Sequence, residues 1–181
     1  DSTMTIGSFE GKSPQIGQGT YVHASADVFG DVTIGEGCWI GPGARIRGDY
    51  GTIVIGDYCS VEDNCVIHVR PGEKTTIGNW VTIGHAAVIH NVKEIQDYVI
   101  VGMGAVVSDW AVVGEWGVVG EGAVVRQGQQ IPAEQIAVGV PARVLDKTVS
   151  DDYKAQWTHF KKTYVELARR YPEGYKPEKD A

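Results

Sequence analysis

The sequence predicts a mainly β fold, a parallel β-helix of hexapeptide repeats followed by a C-terminal α-helix. Three observations predict it. Aliphatic residues recur every six positions, a small residue sits four positions after most of them, and 24 of the 181 residues are glycine without low complexity. The aliphatic series runs Ile16, Val22, Val28, Ile34, Ile40, Ile46, restarts at Ile55, Val61, Ile67, and resumes from Ile77 to Ile131. The small residues include Ala26, Cys38, Ala44, Cys59, Cys65, Ala87 and Ala105. Neither a helical period of 3.6 nor strict alternation along one strand gives this pattern.

Each hexad is read as one short strand and a bend, with three hexads closing a triangular coil. The aliphatic and small residues point inward and stack on their equivalents in the next coil, forming a core no single coil could bury alone. Glycine is expected to supply backbone conformations that cost other residues energy. The three cysteines occupy the small inward slot, where cysteine acts as a small apolar residue.

Two breaks interrupt the period, between Ile46 and Ile55 and between Ile67 and Ile77. Both are expected to bulge outward as loops, and Pro71-Gly72 in the second is a turn signal. The repeat is assigned to residues 1–146 and the helix with its tail to 147–181. From Ser150 the apolar residues Tyr153, Trp157, Phe160, Tyr164, Leu167 and Tyr171 follow helical spacing. Ser150 is the expected N-cap, Asp151 and Asp152 suit the helix dipole, and Pro172 and Gly174 stop the helix. Its aromatic stripe is expected to pack on the solenoid or on a neighbour.

Composition narrows the function. Hydrophobic residues at 43% exclude disorder, and a formal net charge of -7 argues against a nucleic-acid partner. No apolar run is long enough to span a bilayer, and Asp1-Ser2-Thr3-Met4 lacks the features of a signal peptide. The expectation is a soluble cytoplasmic protein with neither membrane nor nucleic acid as partner.

The hexad register places the chemistry. Arg47, His68 and His90 each follow the third aliphatic residue of successive coils, so they form a ladder on one face. Strands stack about 4.8 Å apart, so His68 and His90 can reach one ion. His85 lies on the second face of its coil and points elsewhere. In a three-fold trimer, the second face of one subunit can meet the third face of the next, so a metal site would take His68 and His90 from one chain and His85 from its neighbour. Three imidazoles suit zinc and leave one tetrahedral position open, where the metal makes hydroxide available at neutral pH. Ferrous iron or cobalt suits the same ligands. Asp49 and Glu62 are candidates for accepting protons or orienting ligands. Arg47 and Asp49 are expected to pair across the subunit interface. His23 and His159, without ladder partners, are read as solvated side chains.

The segments Arg47-Gly48-Asp49, Val61-Glu62-Asp63-Asn64-Cys65-Val66-Ile67-His68, Ile83-Gly84-His85-Ala86-Ala87-Val88-Ile89-His90 and Val101-Gly102-Met103-Gly104-Ala105 resemble the γ-class carbonic anhydrases. That resemblance covers nearly the whole chain. It implies a left-handed helix, a homotrimer with interfacial zinc or iron sites, and reversible hydration of CO2 to bicarbonate. On this resemblance His68, His85 and His90 match the metal ligands, while Arg47 and Asp49 match the interface ion pair that anchors bicarbonate. Glu62 stands where the family usually has Gln, and its charge would raise the pKa of bound water. Tyr50 stands where the family's prototype has a proton-exporting glutamate, and the prototype's long acidic loop is cut to Pro71-Gly72-Glu73-Lys74. Two other functions fit the scaffold: a CoA-thioester hydrolase or acyltransferase, and a non-catalytic assembly subunit.

Overall fold

The computed structural model describes residues 5–178, so the signal-peptide reading of Asp1-Ser2-Thr3-Met4 falls outside the described residues. The chain winds into a parallel β-solenoid with one helix, α1 (Asp151–Gly174), at its C-terminal end. The second face is a sheet in which Tyr21–Val22, Trp39–Ile40, Ser60–Val61, Thr82–Ile83, Ile100–Val101 and Val118–Val119 stack in order. The third face carries Val66–His68, Val88–His90, Val106–Val107 and Val124–Val125. The hexad register holds strand by strand: Ile46 pairs with Ile67, Ile67 with Ile89, and Ile89 with Val107.

The core is one column of these residues. Ile46, Ile67, Ile83, Ile89, Ile95 and the small Ala44, Cys65, Ala87 and Ala105 are fully buried. Burying each isoleucine side chain contributes about 1.5–3 kcal/mol, so the column is the main source of the solenoid's stability. Cys38, Cys59 and Cys65 are all buried free thiols in this column.

Glycine plays two parts: Gly37, Gly43, Gly104 and Gly122 take the left-handed conformations expected of it, with φ between 63° and 72°. The glycines that follow the aliphatic residue, such as Gly35 and Gly102, are not in the left-handed region. They are required by close approach between coils. A Cβ on Gly35 would lie 2.6 Å from the Gly56 carbonyl oxygen, and one on Gly102 would lie 2.6 Å from the Glu121 nitrogen. The left-handed corners also include Tyr58, Trp80, Tyr98 and Trp116, each with φ between 57° and 61°. Strain of about 1–3 kcal/mol at each such residue is offset by ring stacking along the corner, with centroids 4.8, 6.3 and 4.9 Å apart.

The two breaks in the period also differ from each other. The first is not a free loop: Arg45–Ile55 runs as one long strand, paired with Asp27–Ile34, and the register shifts between Gly30 and Val32. The extra residues Asp49, Tyr50 and Gly51 form a bulge within that strand, leaving Tyr50 58% exposed. The second break is the expected turn, between the strands Val66–His68 and Lys74–Ile77.

Helix α1 begins as expected, the Ser150 hydroxyl accepting the Tyr153 N–H at 3.1 Å. It runs through Pro172 to Gly174, since a proline three residues from the end disturbs only the last turn. The helix lies along the second face of its own solenoid, touching the strands Tyr21–Val22, Trp39–Ile40 and Ser60–Val61. Its buried residues are Lys161 and Ala168, while Phe160 is exposed, so the inward face is rotated from the purely aromatic stripe. Lys161 Nζ donates to the Trp80 carbonyl at 2.7 Å, to Thr82 Oγ1 at 3.0 Å and to the Val99 carbonyl at 3.3 Å.

Candidate metal centre

His68 and His90 stand opposite each other in the pairing of Val66–His68 with Val88–His90, and their ring centroids lie 5.6 Å apart. Arg47 is one rung below, paired with His68. The ladder read from the hexads is therefore a physical row on the third face.

The bulge aims Asp49 into this row. Residues two apart on a strand share a face, so Asp49 returns alongside Arg47 and accepts its Nη2–H at 2.7 Å. Within one chain the two residues already pair, because the bulge brings the carboxylate back over its own strand. The other oxygen, Asp49 Oδ1, is 3.4 Å from His68 Nε2. Both atoms are buried, and neither has a hydrogen-bond partner among the described residues. Burial lowers the pKa of His68, with Arg47 adding to the effect, which favours the neutral imidazole. A neutral imidazole whose Nε2 is buried and unsatisfied is what a metal ion requires.

His90 is fixed by a residue outside the sequence-derived candidate list. Asp109 is 2% exposed, and its Oδ1 accepts from His90 Nδ1 at 2.6 Å. That bond leaves Nε2 as the free nitrogen. Burial works to raise the Asp109 carboxyl, but hydrogen bonds from His90 and Arg70 outweigh it and hold the group below the ordinary carboxylate range. Asp49 behaves likewise, with Arg47 outweighing burial.

His85 lies at the corner after the strand Thr82–Ile83, away from the pair. Its Nδ1 is 3.1 Å from Asp63 Oδ1, and its Nε2 is 3.3 Å from Glu62 Oε1. Asp63, like Asp109, lies outside the sequence-derived candidates. The signal for it was the register: Asp63 stands one coil below His85, since Val61 pairs with Ile83. Among the described residues of a single chain, no group of three or more His, Cys, Asp or Glu side chains converges on one ion position.

Glu62 is 5% exposed and accepts the Ser60 hydroxyl at 3.2 Å. It occupies a position that is glycine in the coils on either side, Gly41 and Gly84. Burial pushes its carboxyl up to about 6, against the charge of His85. Beside Glu62 and His85 runs a cavity of about 380 Å³, lined by Ile100, Val118 and Met103 from the solenoid and Trp157 and Phe160 from α1.

Three further side chains complete the account. Glu73 Oε2 is engaged by Asn91 Nδ2 at 2.6 Å and by the Trp110 indole N–H at 2.7 Å, so it is a structural carboxylate. His23 is buried rather than solvated, 2.8 Å from the Ser25 hydroxyl and packed against Tyr175. His159 is exposed on α1, as expected. None of the described helices is long and apolar enough to cross a membrane.

No family model matches the chain. It is similar to a probable carbonic anhydrase of Methanocaldococcus jannaschii, 49% identical over 140 residues, 77% of this chain and 87% of that protein. It is also similar to carnitine operon protein CaiE of Salmonella typhimurium, 37% identical over 168 residues, 92% of this chain and 83% of that one. In structure it resembles a hexapeptide transferase family protein from Anaplasma phagocytophilum, with a TM-score of 0.87, 29% identity, and 92% and 98% of the two chains covered. With the hexad solenoid, the histidine row and a relative 49% identical over 140 residues, the chain belongs to the γ-class carbonic anhydrase family of hexapeptide-repeat proteins.

Proposed function

We propose that the protein is a metal-dependent carbonic anhydrase that interconverts CO2 and bicarbonate at sites shared between the subunits of a homotrimer. His68 and His90 of one chain and His85 of its neighbour would hold the ion, zinc first and ferrous iron or cobalt as substitutes. The observation that carries this reading is the in-register pair His68 and His90, with His68 Nε2 buried and unsatisfied. His85 supports it as well: Nδ1 is hydrogen-bonded to Asp63, while Nε2 makes no hydrogen bond among the described residues and faces Glu62 at 3.3 Å, so Nε2 would be the ligating nitrogen. A zinc ion bound there supplies the Lewis acidity that activates water at neutral pH.

The chain's own residues divide the remaining work. Asp109 and Asp63 fix the tautomers of His90 and His85. Arg47, held by Asp49, presents the cation to which bicarbonate would bind. Glu62, buried beside His85 and raised to about 6, would take or return a proton.

The experiment is to purify the protein without oxygen, measure metal per chain, and follow CO2 hydration by stopped flow with zinc, cobalt and iron. Stoichiometric metal with hydration by at least one of the three is expected. Metal without hydration under all three would remove the reading. His85→Ala should lose the metal and keep the solenoid, and stoichiometric metal in that variant would refute the shared site.

The cavity beside Glu62 and His85 favours a second reading, hydrolysis of an acyl thioester whose chain lies against Ile100, Val118 and Trp157. Acyl-CoA hydrolysis that exceeds CO2 hydration, and that narrowing the cavity by Val118→Phe abolishes, would favour it over the first.

A further inference from the structure

The loop between Val66–His68 and Lys74–Ile77 is tied to the next two coils by four hydrogen bonds. The Arg70 N–H donates to Asn91 Oδ1 at 3.0 Å. Asn91 Nδ2 and the Trp110 indole N–H both donate to Glu73 Oε2. The Arg70 side chain makes the fourth tie, Nε donating to Asp109 Oδ2 at 2.6 Å. Asn91 directly follows His90, and Trp110 directly follows Asp109. Each of these four ties therefore ends beside His90 or beside the carboxylate that holds it, while Gly72 and Glu73 also bond to Tyr50 and Thr52 of the preceding coil.

We propose that Asp109 and Arg70 are positioning residues for the metal ligand His90, and that this loop is a clamp on that ligand. The inference rests on the reading of His90 as a ligand. A carboxylate has no proton to give, so Nδ1 of His90 carries the hydrogen and Nε2 keeps the lone pair. One accepted bond leaves a carboxylate free to turn about its χ2. Arg70 on the second oxygen removes that freedom, so the plane of Asp109, and with it the direction of the imidazole, is set from both sides. The Asp109 side chain is 3% exposed, where a charge-assisted hydrogen bond meets little competition from water. Glu73 belongs to the same clamp, since two donors on one oxygen fix the far end of the loop.

The test measures zinc affinity of the full-length protein by competition with a chromophoric chelator, together with the visible spectrum of the cobalt-loaded form. The variants are Asp109→Ala, Arg70→Gln, Arg70→Lys and His90→Ala, with circular dichroism of each metal-free protein as a check on folding. Asp109→Ala is expected to weaken zinc roughly 10–100-fold. Arg70→Gln is expected to weaken it by a smaller factor and to shift the cobalt bands, and Arg70→Lys to recover part of the loss. A purely structural loop contact would lower the melting temperature of Arg70→Gln and leave both metal readouts unchanged. Should His90→Ala lose the ion while Asp109→Ala and Arg70→Gln bind as the parent does, the clamp is overturned and the metal site stands. Should His90→Ala bind as the parent does, the metal site itself falls, and the clamp with it. If Asp109→Ala does not fold, Arg70→Gln decides, because Arg70 is half exposed on the loop.

Discussion

The solenoid buries carboxylates in two places, and they respond to burial in opposite directions. On the third face Asp49 and Asp109 are held below the ordinary range. Under helix α1, Glu62 is pushed up to about 6. Desolvation is the largest influence on all three. What differs is the cation. Arg47 and Arg70 donate directly to Asp49 and Asp109 at 2.7 and 2.6 Å. Near Glu62 the His85 imidazole stands 3.3 Å away without a hydrogen bond, and Lys161 spends its donors on Trp80, Thr82 and Val99, so both act only through space. A hydrogen-bonded guanidinium outweighs burial, and a distant ammonium does not.

The largest test of this contrast is Lys161 itself. Burial lowers its pKa to about 7 from an unfolded value of 10.5, and the ammonium is almost wholly covered. Between these two values the unfolded chain binds a proton that the folded one does not, so stability rises with pH across that window and levels off below about 7. The gain from pH 7 to 10 is on the order of 3–5 kcal/mol, an upper bound because three acceptors compensate the charge. Urea unfolding at pH 7 and pH 9.5 should show the rise in the parent and none in Lys161→Met, where the burial-raised thiols of Cys59 and Cys65 lower stability as pH rises. An equal rise in both would mean that Lys161 is charged in the fold and that the second face is better solvated than its burial indicates.

Neither Lys161 nor Asp109 could be read from the sequence as the hexads were. The period fixes which residues stack, because an inward slot repeats every six positions and tolerates only aliphatic or small side chains. It therefore yielded the core, the row Arg47, His68 and His90, and the separation of His85 from that row. It does not fix rotamers. Asp109 is two positions after Val107, on the coil above His90, but its turn toward Nδ1 depends on side-chain torsions and on Arg70 arriving from the loop. Lys161 was hidden by the opposite cause. A helix read by its apolar stripe passes over a lysine three residues before Tyr164 and four after Trp157, although that spacing puts it on the inward face. The first break was misread as a loop because a count of residues cannot distinguish a free loop from a bulge that keeps its strand pairing.

A second test follows at Glu62, with an effect of about 2 kcal/mol. Its folded pKa of about 6 lies above the ordinary 4.5, so the fold holds a proton that the unfolded chain releases between those values. Stability of the metal-free protein therefore falls as pH rises from about 4.5 to 6 and stays lower above that. Glu62→Gln keeps the shape and the hydrogen bond from Ser60 while removing the buried charge. It should stabilise the chelator-treated protein at pH 7.5 by about 1–2 kcal/mol and leave it unchanged near pH 4. A loss of stability at pH 7.5 would show that Glu62 is held ionised by His85, and the contrast with Asp49 would dissolve.

The smallest effect comes from turning Asp49 into a copy of Glu62. Arg47→Gln removes the guanidinium that outweighs burial and leaves the carboxylate in place under the bulge. Asp49 should then titrate above the ordinary range instead of below it, read from its carboxyl carbon shift in the chelator-treated protein. The sign of the stability change follows. A lowered folded pKa contributes stability above the unfolded value and loses it as pH falls through the folded one, so Arg47→Gln weakens the fold at neutral pH and least in acid. Because Arg47 is 43% exposed, solvent screens the pair and the loss is only about 1 kcal/mol at pH 7. If the Asp49 titration stays low without Arg47, the backbone of the bulge holds the anion, since the Asp49 N–H also lowers it. The two carboxylate environments would then differ in backbone geometry, and the guanidinium of Arg47 would serve the ligand alone.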